Sequence, residues 1–294
     1  MSTVVLLLVT GLGLGALYFL VAAGLSLIYG LMRVLNFAHG AFLTLGAYAG
    51  WELGGNAGRA AGTWWGFALA LLAGTLAGAA VATATELLLV RRLYAREIEQ
   101  VLVTVGLSLA AVALVSGVWG TDPRTFRAPA WLDRTTTLLG ARIPNDRFVA
   151  AAAAALVLSG LLALLHRTRY GLVIRAGVEN RAMVSALGID VRRAFTLVFA
   201  VGGAVAGLGG VLGGVYFGTV SPGLGGSLLI FAFIVVVIGG LGSLTGSAVA
   251  AVAVGLLQQF ANYYAASGVG DLAVVLLLAA VLLLRPRGLL GSAA

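Results

Sequence analysis

Cysteine is absent from the 294 residues, and so is lysine: all 18 basic residues are arginine. Without cysteine there is no disulfide, no thiolate nucleophile and no Cys-ligated metal. Without lysine there is no P-loop, whose phosphate cradle ends in Lys-Ser/Thr, and no Schiff-base chemistry. Proline is scarce, with 5 residues, and only 10 residues are acidic. Charged residues of both signs make up 10% of the chain, against 61% apolar. A soluble globular domain is nearer half apolar and a quarter charged. These proportions exclude an ordinary soluble enzyme and a disordered chain, and they name lipid as the solvent. The net charge of +8 is dispersed over Arg-bearing loops and forms no continuous basic face of the kind nucleic acid requires.

What the chain has instead is long apolar runs. A membrane-crossing helix needs about 20 apolar residues. Candidate segments fall at 4–29, 34–50, 62–90, 99–119, 147–166, 193–217, 224–241, 244–264 and 270–285. This predicts an all-α polytopic membrane protein of eight or nine crossings in a single transmembrane domain over 1–294. The stretch 34–50 carries Asn36 and His39 and reads as a half-helix or re-entrant segment. No Arg precedes Arg33, so the first apolar run lacks the charged region of a cleaved signal peptide.

Arginine sets the expected orientation. Arg33, Arg91, Arg92, Arg96, Arg167, Arg169, Arg175, Arg181, Arg192, Arg193, Arg285 and Arg287 fall in one set of loops; Arg59, Arg124, Arg127, Arg134, Arg142 and Arg147 fall in the other. The richer set is expected in the cytoplasm, which puts the N-terminus outside, the C-terminus inside and the number of crossings at nine. The outer loop, about 117–147, holds Pro123, Pro129 and Pro144 among turn-forming Asp residues, with Trp119 and Trp131 as interfacial anchors.

Glycine is abundant, 43 residues, about twice the usual share. Many glycines stand four apart: Gly11/Gly15, Gly74/Gly78, Gly203/Gly207, Gly209/Gly213, Gly210/Gly214, Gly214/Gly218 and Gly242/Gly246. Such spacing lays a smooth groove on one helix face and lets backbones approach in lipid. Tight bundle packing is the plain reading. Helices that slide or break around a path are the functional one, favoured locally by Ser221-Pro222-Gly223 and the glycines after it.

Polar residues at membrane depth are the candidate sites. Asn36 and His39 lie three apart; either they line a path or gate, or Asn36 caps a helix while His39 satisfies a backbone carbonyl. Residues 179–187 pattern as a helix of about two turns between arginines, ended by Gly188. It either rests on anionic headgroups or docks into a partner. Glu86 is the one acid well inside an apolar run, and it is expected to reach toward Arg91 and Arg92. Gly268-Val269-Gly270-Asp271 formally matches an intramembrane aspartyl protease signature, but no second aspartate lies at membrane depth. Asp271 reads better as the N-cap of the last helix. Ser26 or Ser108 with His39 as base is set aside, because a transmembrane serine usually bonds back to a carbonyl.

Taken together, Gly24-Leu25-Ser26-Leu27-Ile28-Tyr29-Gly30, Met32 through Gly40, Glu179-Asn180 with Leu187-Gly188-Ile189, Ala206 through Leu212, Ser221-Pro222-Gly223 and Phe231 through Ser243 resemble the LivH-type permeases of branched-chain amino-acid ABC importers. The resemblance covers essentially the whole chain; the cytoplasmic loop 91–100 and the outer loop are individual. It implies a subunit of the bacterial inner membrane, with no ATPase site and no cofactor of its own. Its implied partners are a second permease, related or a second copy, two cytoplasmic ATPases that bind ATP and Mg, and an external substrate-binding protein. It further implies that Glu179, Asn180, Arg181, Leu187 and Gly188 form the coupling helix. Asn36, Phe37, His39, Gly40, Ser221, Pro222 and Gly223 would line the path or gate. An ion-coupled carrier acting without ATPases is the alternative; the lack of a midplane acid speaks against it.

Overall fold

The computed structural model describes residues 2–32, 36–56, 61–94, 96–179, 183 and 190–290. Ten α-helices are found among them. They are α1 (Ser2–Met32), α2 (His39–Gly50), α3 (Trp64–Leu88), α4 (Glu97–Trp119), α5 (Asp146–Arg167), α6 (Arg169–Glu179), α7 (Val191–Phe217), α8 (Leu224–Gly239), α9 (Leu244–Tyr264) and α10 (Val269–Leu284). A π-helical turn, Trp51–Gly55, extends α2, and a 3₁₀ turn, Val90–Leu93, follows α3. Six helices are long and apolar enough to cross a membrane: α1, α3, α4, α5, α7 and α9. The polytopic all-α expectation holds. Of the other apolar helices, α8 and α10 have 16 residues each and α2 has 12.

Local chemistry explains the helix starts. Thr63 accepts from Gly66 N, Ser243 from Gly246 N, and Asp190 from Arg192 N and Arg193 N, each satisfying backbone donors left free at a helix N-terminus. Helix α7 stops at Gly218, whose φ of +70° is a left-handed cap.

The bundle has two distinguishable ends. At one, Arg127 N donates to Gly55 O, Phe126 N donates to Gly218 O, and Trp119 Nε1 donates to Glu52. The strands β1 (Arg124–Thr125), β2 (Thr135–Leu138) and β3 (Ala141–Pro144) lie there too, and the start of α1 packs beside β3. Strands β2 and β3 pair antiparallel as a hairpin, with Leu138 opposite Ala141. The two residues between, Leu139 and Gly140, both have positive φ, as a tight hairpin turn demands. At the opposite end Gly30 packs on Gly242, and Leu289 N donates to Ile238 O. The described chain thus begins at the hairpin end and finishes at the other.

Packing follows the glycine spacing. Helix α3 meets α7 where Gly74 and Gly78 face Gly203 and Gly207; a Cβ on Gly207 would collide with Gly74 O, and one on Gly203 with Gly78 O. Gly46 of α2 joins this seam: its Cβ would stand 2.5 Å from Gly207 Cα. Helix α1 meets α9 where Gly15 faces Ala251, at 2.6 Å from a Cβ to the carbonyl oxygen, and where Gly11 faces Gly255 and Leu256. Lipid supplies no hydrophobic drive between helices, so this approach of backbones is the source of association. Helices α1 and α7 are the central pair, two-thirds buried, whereas α4 and α5 leave most of their length uncovered.

One expectation needs correction. Asp271 is not the N-cap of α10. It is the third residue of the helix, and Asn262 of α9 does the capping, accepting from Gly268 N at 3.1 Å and Gly270 N at 2.8 Å. The helix expected over 179–187 falls almost wholly outside the described residues; the described helix α6 ends at Glu179. Of the residues implied for coupling, Asn180, Arg181, Leu187 and Gly188 lie outside the described residues.

Candidate functional site

The short helices α2 and α8 start inside the bundle, not at its ends. Asn36 Oδ1 accepts from Ala38 N at 3.1 Å, and His39 N donates to Asn36 O, so the residues before α2 fold into a compact turn. The fully buried His39 ring comes within 3.0 Å of Val21 O through Nε2. It fills the space left by Gly24, where a Cβ would meet the ring at 2.7 Å. Near the start of α8, Gly225 N donates to Thr44 Oγ1 of α2 at 3.0 Å, and Gly40 O lies against Gly225. The two half-length helices therefore meet by their N-terminal turns, where unpaired N–H groups concentrate positive potential.

Two cavities follow one another along α8. The first, about 400 Å³, lies toward the hairpin end. Tyr18, Ser221, Ser227, Phe231, Gln258 and Asp271 are among its lining residues. The second, about 350 Å³, is apolar; Leu25, Asn36, Phe37, Ile230 and Phe233 are on its wall. Of the residues predicted for the path, Asn36 and Phe37 border the apolar cavity and Ser221 the polar one. His39 and Gly40 sit behind, against α1 and α8, while Pro222 is buried and Gly223 exposed.

Sequence reasoning missed the polar chain that bridges three helices. Tyr18 Oη of α1 donates to Gln258 Oε1 of α9 at 2.7 Å, and Gln258 Nε2 donates to Asp271 Oδ1 of α10 at 2.5 Å. Tyr18 and Gln258 are buried, and Asp271 is open to the cavity. The only signal for it was the cost of polar groups at membrane depth, which marks each residue but not their partners.

At the opposite end, Glu86 is fully buried near the foot of α3. Arg91 binds it through both Nε at 3.1 Å and Nη2 at 3.3 Å; Tyr94 Oη also donates to it, as does Thr196 of α7, at 2.9 Å. The predicted reach to Arg91 is what occurs. Hydrogen bonding to Glu86 raises the already high pKa of the Arg91 guanidinium, which therefore stays charged.

Known proteins place this architecture. Residues 7–285 match the family described as branched-chain amino acid transport system / permease component. The high-affinity branched-chain amino acid permease protein LivH of Escherichia coli strain K12 is 28% identical, over 96% of this chain and 93% of the relative. BraD of Pseudomonas aeruginosa is also 28% identical, over 97% and 94%. A probable LivH of Methanocaldococcus jannaschii shows 28% over 92% and 88%. No solved structure matches the chain. A match spanning nearly the whole length, on a multi-pass bundle of apolar helices, settles the assignment: the chain belongs to the permease components of branched-chain amino acid transport systems.

Proposed function

We propose that this permease carries branched-chain amino acids, or related small polar solutes, across the bacterial inner membrane along α8. The observation that carries this reading is the pair of cavities, polar then apolar, where α2 and α8 meet by their N-terminal turns. Asn36, Phe37 and Ser221 are wall residues of that path; His39 and Gly40 hold the start of α2, and Pro222 and Gly223 shape the entry to α8. Broken helices at membrane depth are tolerated where they line a cavity.

The hairpin end faces outward, toward a substrate-binding protein, and the Arg-rich end faces the cytoplasm. A second permease, related or identical, completes the path. Two ATPases that bind ATP and Mg dock on the Arg-rich link 166–194, with Glu179, Asn180, Arg181, Leu187 and Gly188 as the coupling residues. As a transport subunit with no lysine for a phosphate cradle, the chain leaves hydrolysis to those partners. Reconstitution with the partner chains in liposomes tests this through leucine-dependent ATP hydrolysis. Replacing both Glu179 and Arg181 with Ala is expected to uncouple hydrolysis from transport; intact coupling would remove the assignment. Uptake by the isolated chain under an ion gradient would replace the importer reading with a carrier.

A further inference from the structure

We propose that the polar cavity is an amino-acid binding site within the permease itself, with the Asp271 carboxylate as receptor for the substrate ammonium group. The inference rests on the amino-acid reading above and adds to it a residue, a location and a chemistry. The volume, about 400 Å³, lies in the range of small-molecule sites, about 300–1,000 Å³.

The chemistry of the wall is divided. Among the described residues, Asp271 is its one acidic side chain, and no arginine lines the cavity. One carboxylate oxygen takes the Gln258 amide; the other, Oδ2, has no hydrogen-bond partner among the described residues. Gln258 cannot turn away, because Tyr18 holds its amide oxygen. Asp271 is exposed to the cavity with a neutral amide as its hydrogen-bond partner, so its second oxygen is accessible to a cation. Ser221, just before α8, and Ser227, in its first turn, also line the cavity; the Ser227 hydroxyl donates to Gly223 O at 3.3 Å, and the Ser221 hydroxyl, beside the positive end of the helix dipole, suits a carboxylate. Between these two poles Leu228 and Phe231 supply an apolar wall for a branched aliphatic side chain. A free zwitterion with an apolar side chain satisfies all three surfaces. An aliphatic acid satisfies two and leaves Asp271 unpaired, and a sugar satisfies neither the charge nor the apolar wall.

A purely structural role predicts otherwise. If the Tyr18–Gln258–Asp271 chain only ties α1, α9 and α10 together, Asp271→Asn preserves it, since the amide oxygen still accepts from Gln258 Nε2. The charge is lost and the tie is kept. The test measures tritiated leucine binding to the assembled complex in nanodiscs, without the external binding protein. Competitors are isopentylamine, which has the ammonium but no carboxylate, and isocaproate, which has the reverse. The expected result is displacement by isopentylamine at concentrations at least about tenfold below those isocaproate needs. Asp271→Asn is expected to weaken leucine at least about tenfold and erase that preference, with its melting temperature unchanged. Isocaproate competing as well as the amine, no displaceable leucine on the wild type, or leucine binding in the variant within about twofold of wild type would each overturn the site. The competitor comparison needs no variant, so a misfolding Asp271→Asn does not blunt it. Uptake by the wild-type complex with its binding protein separates the two claims: no amino-acid uptake sinks the functional reading, and uptake with a failed competition sinks only Asp271.

Discussion

At the scale of single residues, a handful of side chains fill spaces that glycine leaves open. His39 occupies the hollow beside Gly24, so two substitutions probe one contact. His39→Ala empties a buried site and is expected to cost about 2–3 kcal/mol. Gly24→Ala instead drives a methyl into the ring and into Gly202 O, 2.5 Å away. Both are expected to lower the melting temperature in detergent, and combining them is expected to cost less than the sum, since the smaller side chain relieves the clash. Glu86 and Arg91 offer a second cycle. Each single Ala substitution strands the other charge, so the double variant is expected to melt above the temperature that adding the two single shifts predicts.

Residue-scale legibility in the sequence was uneven. Glu86 and Arg91 were readable because they are five apart, within reach on neighbouring turns. Tyr18, Gln258 and Asp271 were not: their partners sit on three helices, and Tyr18 and Gln258 are 240 positions apart. Asp271 was misread because its neighbourhood suits an N-cap, and only the fold shows Asn262 already there.

At the scale of elements, apolar run length was sufficient for the six long helices, whose ends fall within a few residues of the expected segments. The half-length α2 could be suspected from Asn36 and His39, but not its meeting with α8, because a contact between two helix starts leaves no periodic trace. The β2–β3 hairpin hid in what reads as a turn-rich loop, its strands being four residues each. The seam between α3 and α7 was foreshadowed by Gly74/Gly78 and Gly203/Gly207. Its strength has a direct test. Gly207→Val adds bulk where even a Cβ meets Gly74 O, and overpacking of this kind costs about 1–3 kcal/mol or more. The variant is expected to melt lower and to assemble poorly, as read by co-purification of the partner chains. Gly106→Val, where a Cβ meets nothing, is expected to behave as wild type.

At the scale of the whole molecule, the chain supports α8 by packing α1, α2 and α9 against it, and the α7–α8 connection passes through the hairpin end. Which side of the membrane each end faces is directly measurable, because the chain carries no thiol of its own. A single Cys placed at Thr136 in the hairpin is expected to react in intact cells with a membrane-impermeant maleimide. A single Cys at Arg285 is expected to react only after lysis. The reverse pattern would invert the orientation proposed from the arginine count.

One small feature spans these scales. Thr219–Val220, on the way from α7 into α8, pairs antiparallel with Arg124–Thr125 of the hairpin-end link. A ladder two residues wide closes little more than one ring of hydrogen bonds, and such isolated pairings hold weakly. It acts as a clasp rather than a weld: α8 is hung from the hairpin-end link, and the clasp can be undone without unfolding either helix. In hydrogen–deuterium exchange its amides should open well before those of α1 and α7, giving the start of α8 its own freedom to tilt.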